Sequence, residues 1–140
     1  MMVIPSRATE VDRDIATIAA REMMKIDPRN ITYIDLSLID YAFPFSFSSN
    51  SKATVTPLYR FRTNSTRITL NLKCIGNDGI PVTVYFYRSP VDFVSRTTIT
   101  LHANYFSQIS FTNLSANIDY YFMIENHAEV NTTISCTVAD

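Results

Sequence analysis

The chain changes from a helical hydrophobic period to a strand period near residue 30. Within residues 9–26, apolar side chains recur about every 3.6 positions, which predicts an amphipathic helix. Pro28 ends it, because the residue before a proline avoids the α conformation. The apolar stripe, which includes Ile15, Ile18 and Met23, requires a partner. We expect it to pack on the sheet that follows; a neighbouring subunit or another part of a longer protein is the alternative.

From residue 31 onward, apolar and polar residues alternate in about nine short segments separated by turn signals. Such alternation is typical of antiparallel strands that have one buried face and one solvent-exposed face. The side chains expected to face the core are Ile34, Leu36, Leu38, Phe43, Phe45, Phe47, Val55, Tyr59, Phe61, Ile68, Leu70, Leu72, Cys74, Val82, Val84, Phe86, Ile99, Leu101, Ile109, Phe111, Ile118, Tyr120, Phe122, Ile124, Ile134, Cys136 and Val138. Pro44 restricts its segment to an edge strand or a bulge.

These patterns predict an all-β protein. We expect an antiparallel β-sandwich of jelly-roll-like or Ig-like topology, preceded by one N-terminal amphipathic α-helix. Residues 1–30 then form an N-terminal arm and helix, and residues 31–140 form the sandwich domain.

Both glycines of the chain, Gly76 and Gly79, lie in the stretch CIGNDGIP between two strongly alternating segments. Gly, Asn and Asp tolerate positive φ, so we interpret this stretch as the tip of a hairpin that joins residues 66–74 to residues 82–88. A phosphate-binding loop is normally followed by a helix, and a calcium loop carries several acidic ligands. Neither pattern is present here.

The charge pattern excludes the basic surface typical of nucleic-acid binders, because the net charge is −1 and the pI is about 6.1. Arg60, Arg62 and Arg67 cluster, either as cations on the outer faces of two strands or as a phosphate site.

No apolar run approaches the ~18 residues of a membrane-spanning helix, so we expect no membrane insertion. The N-terminus lacks the long apolar region of a signal peptide. Either the protein is intracellular, or a leader has been removed and a start Met added.

The residues of catalytic type form no recognisable motif. His102 and His127 belong to separate elements, and neither has a second ligand at metal-binding spacing. No serine lies in a Gly-x-Ser-x-Gly elbow. The sequence therefore favours a protein that is not an enzyme and that carries no metal or cofactor.

The two cysteines, Cys74 and Cys136, are both predicted to face the core. A disulfide between them would close a loop of about sixty residues, worth about 4 kcal/mol, and would imply an oxidising compartment. Two buried free thiols are the alternative to this disulfide, and the sequence leaves both interpretations open.

Sparse lysine and a surface rich in Thr, Ser and Asn favour an extracellular or cell-surface location. N-x-S/T sequons occur at Asn30, Asn64, Asn113 and Asn131.

Tyr85, Tyr87 and Tyr121 are predicted to point away from the core. Exposed tyrosines can form a platform for sugars or for a protein partner, so these three are the candidate ligand-binding residues. Alternatively, they lie under a loop or under the N-terminal helix. The absence of Trp weakens the sugar interpretation.

Two stretches resemble the pre-peptidase C-terminal domain, a small bacterial β-sandwich attached to secreted hydrolases. LYRFRTNSTRITLNL (residues 58–72) is similar to that family's aromatic-x-Phe strand and the strand after it. NIDYYFMIEN (residues 117–126) is similar to its penultimate strand, and VTVYFYRSP (residues 82–90) to the strand between. The resemblance covers roughly residues 55–140. It implies a non-catalytic secreted module for binding or solubility and transfers no site residues.

Taken together, the sequence favours a non-catalytic, secreted or surface-exposed binding or structural module that has a protein partner or associates with itself. A structural protein of a virus or phage particle is the second hypothesis. Its assembly face would comprise Ile15, Ile18, Met23, Phe43, Phe45 and Phe47. A carbohydrate-binding module, with a polysaccharide as partner, is the third.

Overall fold

A computed structural model describes residues 2–3 and 10–140 of the chain. The helix is α1 (Glu10–Met23), and single 3₁₀ turns cover Pro28–Asn30 and Leu36–Leu38. The strands are β1 (Met2–Val3), β2 (Thr32–Asp35), β3 (Phe43–Ser49), β4 (Thr54–Val55), β5 (Tyr59–Arg62), β6 (Ile68–Ile75), β7 (Ile80–Arg88), β8 (Asp92–Leu101), β9 (Ser107–Phe111), β10 (Asp119–Asn126) and β11 (Thr132–Ala139).

The strands form two sheets that pack face to face. Sheet A has the order β1-β9-β6-β11-β3, and sheet B has the order β2-β5-β10-β7-β8, with β4 paired to β10. Without the short strands β1, β2 and β4, four antiparallel strands (β3-β11-β6-β9) face four others (β5-β10-β7-β8). This is the strand order of a jelly roll. The predicted antiparallel β-sandwich is confirmed, and of the two predicted topologies it is the jelly roll. β1 and β2 add parallel pairings, to β9 and β5.

The core lies between the sheets and is built from the alternating apolar positions. Along β6 and β11 every second residue is buried, as the period of two predicts. Phe86 of sheet B stacks on Phe111 of sheet A, with ring centroids 3.9 Å apart. Burial of an aromatic side chain of this size stabilises the fold by about 1.5–3 kcal/mol. The expected core positions of β6, β7, β9, β10 and β11 are confirmed.

Phe43, Phe45 and Phe47 share one face of β3, as predicted. Strand β3 is an edge strand of sheet A, which is where Pro44 is tolerated. The three rings are half-buried and pack against the core, and those of Phe43 and Phe45 contact Phe61 of β5. Their rings therefore face the interior of the sandwich, and only the backbone edge of β3 is open.

Helix α1 packs on the outer face of sheet B, so the first of the expected partners is confirmed. Ala20 and Met23 are buried against side chains of β7 and β10. Ile18, expected on the same stripe, is 62% exposed instead. At about 100° per residue it lies about 140° around the helix from Met23, so it faces solvent. The side chain of Ile15 lies outside the described residues.

Leu38 is a second position where the expected alternation fails. Strand β2 ends at Asp35, whose carboxylate accepts hydrogen bonds from the backbone N–H and the hydroxyl of Ser37. This cap starts the 3₁₀ turn Leu36–Leu38. The turn keeps Leu36 buried but leaves Leu38 81% exposed.

The stretch CIGNDGIP forms a turn but not a hairpin. Gly76 and Gly79 have φ values of +85° and +70°, so the need for residues that tolerate positive φ is confirmed. The strands on either side, β6 and β7, belong to different sheets. The turn therefore carries the chain across the sandwich, and the expectation of a hairpin was wrong. Positive φ identifies a turn but not the sheet that its second strand joins.

Candidate functional site

Two rows of side chains lie side by side on the outer face of sheet B. The strand register aligns the members of the first row, which are Tyr33, Arg60, Tyr121, Tyr87 and Phe93. The second row consists of Asp35, Arg62 and Asp119. Helix α1 covers the middle of the first row, and the β2 end of both rows is open.

The tyrosines that the sequence suggested as a platform lie under the helix. Tyr87 and Tyr121 are fully buried, Tyr85 is almost so, and all three cluster with Ala20 and Met23 of α1. They do point away from the sandwich core, as expected. The alternative of a covering helix is the arrangement found, and the premise that they are exposed was wrong. They are accessible to a ligand only if α1 moves.

Within this cluster the phenol groups have different surroundings. The Tyr87 and Tyr121 rings are stacked, with centroids 5.1 Å apart. The Tyr121 hydroxyl donates a 2.8 Å hydrogen bond to the Pro90 carbonyl. The Tyr87 hydroxyl is buried and has no hydrogen-bond partner among the described residues. Burial raises the pKa of Tyr121 to about 12 and also raises the pKa of Tyr87.

The arginines on this face are already engaged. Arg60 is only 5% exposed, and its guanidinium carbon lies 3.9 Å from the centroid of the Tyr121 ring, a cation–π contact. Burial lowers the pKa of Arg60, although the nearby Tyr121 acts in the opposite direction. Arg62 pairs with Asp119, and Arg67 lies in the turn before β6. The outer-face interpretation holds for Arg60 and Arg62, and the three do not form a free phosphate site.

The open end of the two rows is a groove of ≈ 370 Å³, which we call the β2 groove. It is lined by Tyr33, Ile34, Asp35, Arg62 and Asp119. Tyr33 is 61% exposed. Arg62 Nε and Nη2 lie 3.2 and 3.3 Å from the two carboxylate oxygens of Asp119, a bidentate pair. The groove combines an exposed ring with fixed planar polar groups on a rigid sheet, which suits recognition of a polar ligand.

Sequence reasoning missed both this groove and a second polar network near the other end of β10. There, the Thr83 hydroxyl lies 2.7 Å from His127 Nε2, which is also 3.6 Å from a Glu125 carboxylate oxygen. Tyr85 donates a 3.0 Å hydrogen bond to the same Glu125 oxygen. The only sequence signal is that Thr83 and Glu125 occupy the same face of predicted strands.

This second network resembles a nucleophile, base and acid, but its geometry does not suit catalysis. The hydroxyl and the carboxylate face the same imidazole nitrogen of His127, so the carboxylate cannot orient the ring from its other nitrogen. Thr83 is buried in the middle of β7, which is paired with β10 on one side and β8 on the other. Backbone N–H groups in such a ladder are already used and cannot stabilise an oxyanion.

Both cysteines are buried free thiols. They lie on neighbouring strands, because β11 pairs with β6. Cys74 lies opposite Ile134, and Cys136 lies opposite Leu72, so the two thiols are diagonal neighbours. The Cys74 thiol donates to the Asn77 carbonyl at 3.0 Å. Burial raises the pKa of both thiols, so neither is an activated nucleophile.

The part of the chain that the structure describes lacks two features. In it, no three or more His, Cys, Asp or Glu side chains are grouped so as to hold a metal ion. None of its helices has the length and apolar character needed to cross a membrane.

Comparison with known proteins shows the fold and no family. No protein-family model matches the chain, and no curated protein matches it in sequence. Among solved structures, tripeptidyl peptidase 2 is similar with a TM-score of 0.59 and 8% identity, over 76% of this chain and 10% of that one. The chain therefore spans about a tenth of that peptidase chain.

Two smaller proteins show weaker structural similarity. The Yersinia pseudotuberculosis-derived mitogen has a TM-score of 0.49 and 8% identity, over 70% of this chain and 84% of the mitogen. Aeromonas hydrophila PliG, a periplasmic inhibitor of g-type lysozyme, has a TM-score of 0.47 and 13% identity, over 79% of this chain and 96% of PliG. At such identities the likeness concerns the fold, which many unrelated functions share.

Proposed function

We propose that this chain is a non-catalytic binding module of a secreted or surface-exposed protein, and that it binds its ligand in the β2 groove. One observation carries the proposal: beside the exposed Tyr33 ring, the bidentate Arg62–Asp119 pair is held on paired strands at the open edge of sheet B. Binding sites built on rigid sheet elements hold their side chains more precisely than sites built on loops.

The chemistry of the described residues supports a non-catalytic role. The cysteine thiols are buried, and burial raises the pKa of both. The Thr83–His127 pair lacks both an orienting acid on the second ring nitrogen and free backbone donors nearby. In the β2 groove, both carboxylate oxygens of Asp119 are already engaged by Arg62.

The proposed location rests on composition and on the sequence resemblance. Thr, Ser and Asn dominate the polar surface, and the chain has few lysines. The stretches similar to the pre-peptidase C-terminal domain correspond to β5 with the start of β6 and to β10. We therefore propose both that this chain belongs to that family and that it is secreted.

Fragment mapping by NMR tests the proposed site without knowledge of the natural ligand. A library of small polar and aromatic fragments is added to ¹⁵N-labelled protein, and the shifted backbone amides are assigned. We expect the perturbed amides to concentrate at residues 33–35, 60–62 and 119, and the perturbation to be lost in Tyr33→Ala. Tyr105→Ala, at another exposed tyrosine outside the groove, is the control and leaves the map unchanged. Fragments that gather at any other place on the surface, or bind nowhere, overturn the proposal.

Assembly with other copies is the second candidate, and a specific surface favours it. Leu38 and Tyr41 are 81% and 91% exposed and precede β3, the strand at the open edge of sheet A. This arrangement favours the backbone edge of β3 as the contact rather than α1, whose Met23 packs on its own sheet. If β3 mediates assembly, the mass measured by light scattering rises with concentration, and Leu38→Lys with Tyr41→Lys restores the 15.9 kDa monomer. A wild-type protein that stays monomeric at millimolar concentration excludes this function.

A further inference from the structure

The β2 groove offers one apolar surface to a ligand, the ring of Tyr33. Tyr33 lies on the edge strand of sheet B and is 61% exposed, so its side chain offers surface for stacking. The other apolar lining residue, Ile34, packs against the sandwich core. A partner protein normally requires a desolvated apolar centre of several side chains. A single free ring instead suits a small flat partner, such as the C–H face of a pyranose.

The polar groups of the groove provide both donors and acceptors. A guanidinium has five N–H donors, and two of those on Arg62 hold Asp119, which leaves about three for a ligand. Each carboxylate has about four lone-pair positions. Arg62 occupies two of those on Asp119, and Ser37 occupies two of those on Asp35. Hydroxyl groups both donate and accept, so adjacent hydroxyls match this mixture, whereas a ligand with only acceptors or only donors does not.

The charges around the groove balance. Asp35 and Asp119 contribute two negative charges, and Arg62 with the neighbouring Arg60 contributes two positive charges. The carboxylates repel phosphate, sulfate and uronate groups. The paired guanidinium and the buried Arg60 disfavour a cationic amine. The groove therefore has no net attraction for an ion of either sign.

From these three properties we infer that the ligand of the β2 groove is a neutral oligosaccharide, with a sugar ring stacked on Tyr33 and its hydroxyls bonded to Arg62, Asp119 and Asp35. The inference rests on the proposed function of the groove. A volume of ≈ 370 Å³ lies at the lower end of the ~300–1,000 Å³ typical of ligand pockets, so the groove holds a short segment of a chain. Because β2 is an edge strand, that chain can continue past the groove.

Titration with defined hexasaccharides tests the ligand class. The neutral probes are cellohexaose, laminarihexaose, xylohexaose, mannohexaose and hexa-N-acetylchitohexaose. The charged probes are a galacturonic acid hexamer, a heparin hexasaccharide and chitosan hexaose. Each is added to the ¹⁵N-labelled full chain at 0.05 M and 0.5 M NaCl, concentrations chosen so that screening separates charge attraction from neutral recognition. We expect at least one neutral probe to shift the amides of residues 33–35, 60–62 and 119, equally at both salt concentrations.

Variants connect the binding to the named side chains. Tyr33→Ala removes the stacking surface and weakens binding about tenfold or more. Arg62→Lys loses the fork geometry and weakens binding while keeping the charge. Tyr105→Ala removes an exposed tyrosine elsewhere and leaves binding unchanged. Because Tyr33 is largely exposed, its variant keeps the dispersed spectrum of the folded protein, which is checked in the same experiment.

The remaining outcomes contradict the inference. Binding of the charged probes alone, or of a neutral probe whose shifts map outside the groove, shows that the ligand class or the site was assigned incorrectly. If fragments gather in the groove but no neutral hexasaccharide binds there, the proposed function stands and the oligosaccharide inference fails. If fragments also avoid the groove, both fail.

Discussion

The stacked tyrosines under α1 allow a paired test of buried hydrogen bonding. Tyr87 and Tyr121 are both fully buried, with ring centroids 5.1 Å apart. Among the residues that the structure describes, Tyr121 has a hydrogen-bond acceptor, the Pro90 carbonyl at 2.8 Å, and Tyr87 has none. An unsatisfied buried polar group costs about 1–3 kcal/mol, and a satisfied hydrogen bond contributes about 0.5–1.5 kcal/mol net. Substitution by Phe keeps the ring and removes only the hydroxyl. We therefore expect Tyr87→Phe to stabilise the fold by about 1 kcal/mol and Tyr121→Phe to destabilise it by about 1 kcal/mol.

Urea denaturation followed by circular dichroism measures the two free energies of unfolding, and thermal melts provide an independent scale. With an unfolding entropy of about 2.1 cal/mol/K per residue, 1 kcal/mol corresponds to a shift in Tm of about 3 °C for this chain. The two variants should thus melt about 6 °C apart, on opposite sides of the wild type. Equal destabilisation by both substitutions would show that the Tyr87 hydroxyl has a partner in solution, and the reasoning from its burial would be refuted.

Three further predictions concern the helix, the cysteines and pH. Met23→Ala removes the apolar contact of α1 with sheet B and should cost about 2 kcal/mol in urea denaturation, whereas Met24→Ala, on the exposed side, should change little. Cys74 and Cys136 should resist iodoacetamide in the native protein and both react in urea; an unreduced mass two hydrogens lighter, without adducts, contradicts this. Burial raises the folded-state pKa of Tyr121 to about 12, above the ~10 of an unfolded tyrosine. The stability that the buried, neutral Tyr121 contributes is therefore complete below about pH 10, and it is lost as the pH rises from about 10 to 12. Urea midpoints at pH 9 and 11 measure this loss, which the Phe variant should reduce.

The sandwich was predictable because apolar residues in the sequence and buried residues in a sheet with one buried face both recur at every second position. Along β11, for example, Ile134, Cys136 and Val138 are apolar and buried for one physical reason. The pattern fails where a local cap competes with it. The Asp35 cap starts a 3₁₀ turn that rotates Leu38 into solvent, and hydrophobicity alone contains no signal for that turn.

The candidate site was not predictable for a different reason. Arg62 and Asp119 are 57 positions apart, and their meeting depends on the pairing of β5 with β10. Likewise, the period of two showed correctly that Tyr87 points away from the core. It could not show that α1 covers that side of the sheet, because helix docking depends on tertiary structure.

The order of the strands has a consequence for how the chain is made. The last two strands in sequence, β10 and β11, are inner strands: β10 lies between β5 and β7, and β11 lies between β6 and β3. During synthesis, each sheet therefore lacks one of its inner strands until residues 119–139 have left the ribosome. Strand β3 emerges early without β11, its pairing partner, and β5 emerges with only the short strand β2 beside it. The inner pairings of both sheets thus form only after residues 119–139 have been made, and the aromatic strands β3 and β5 lack those pairings until then.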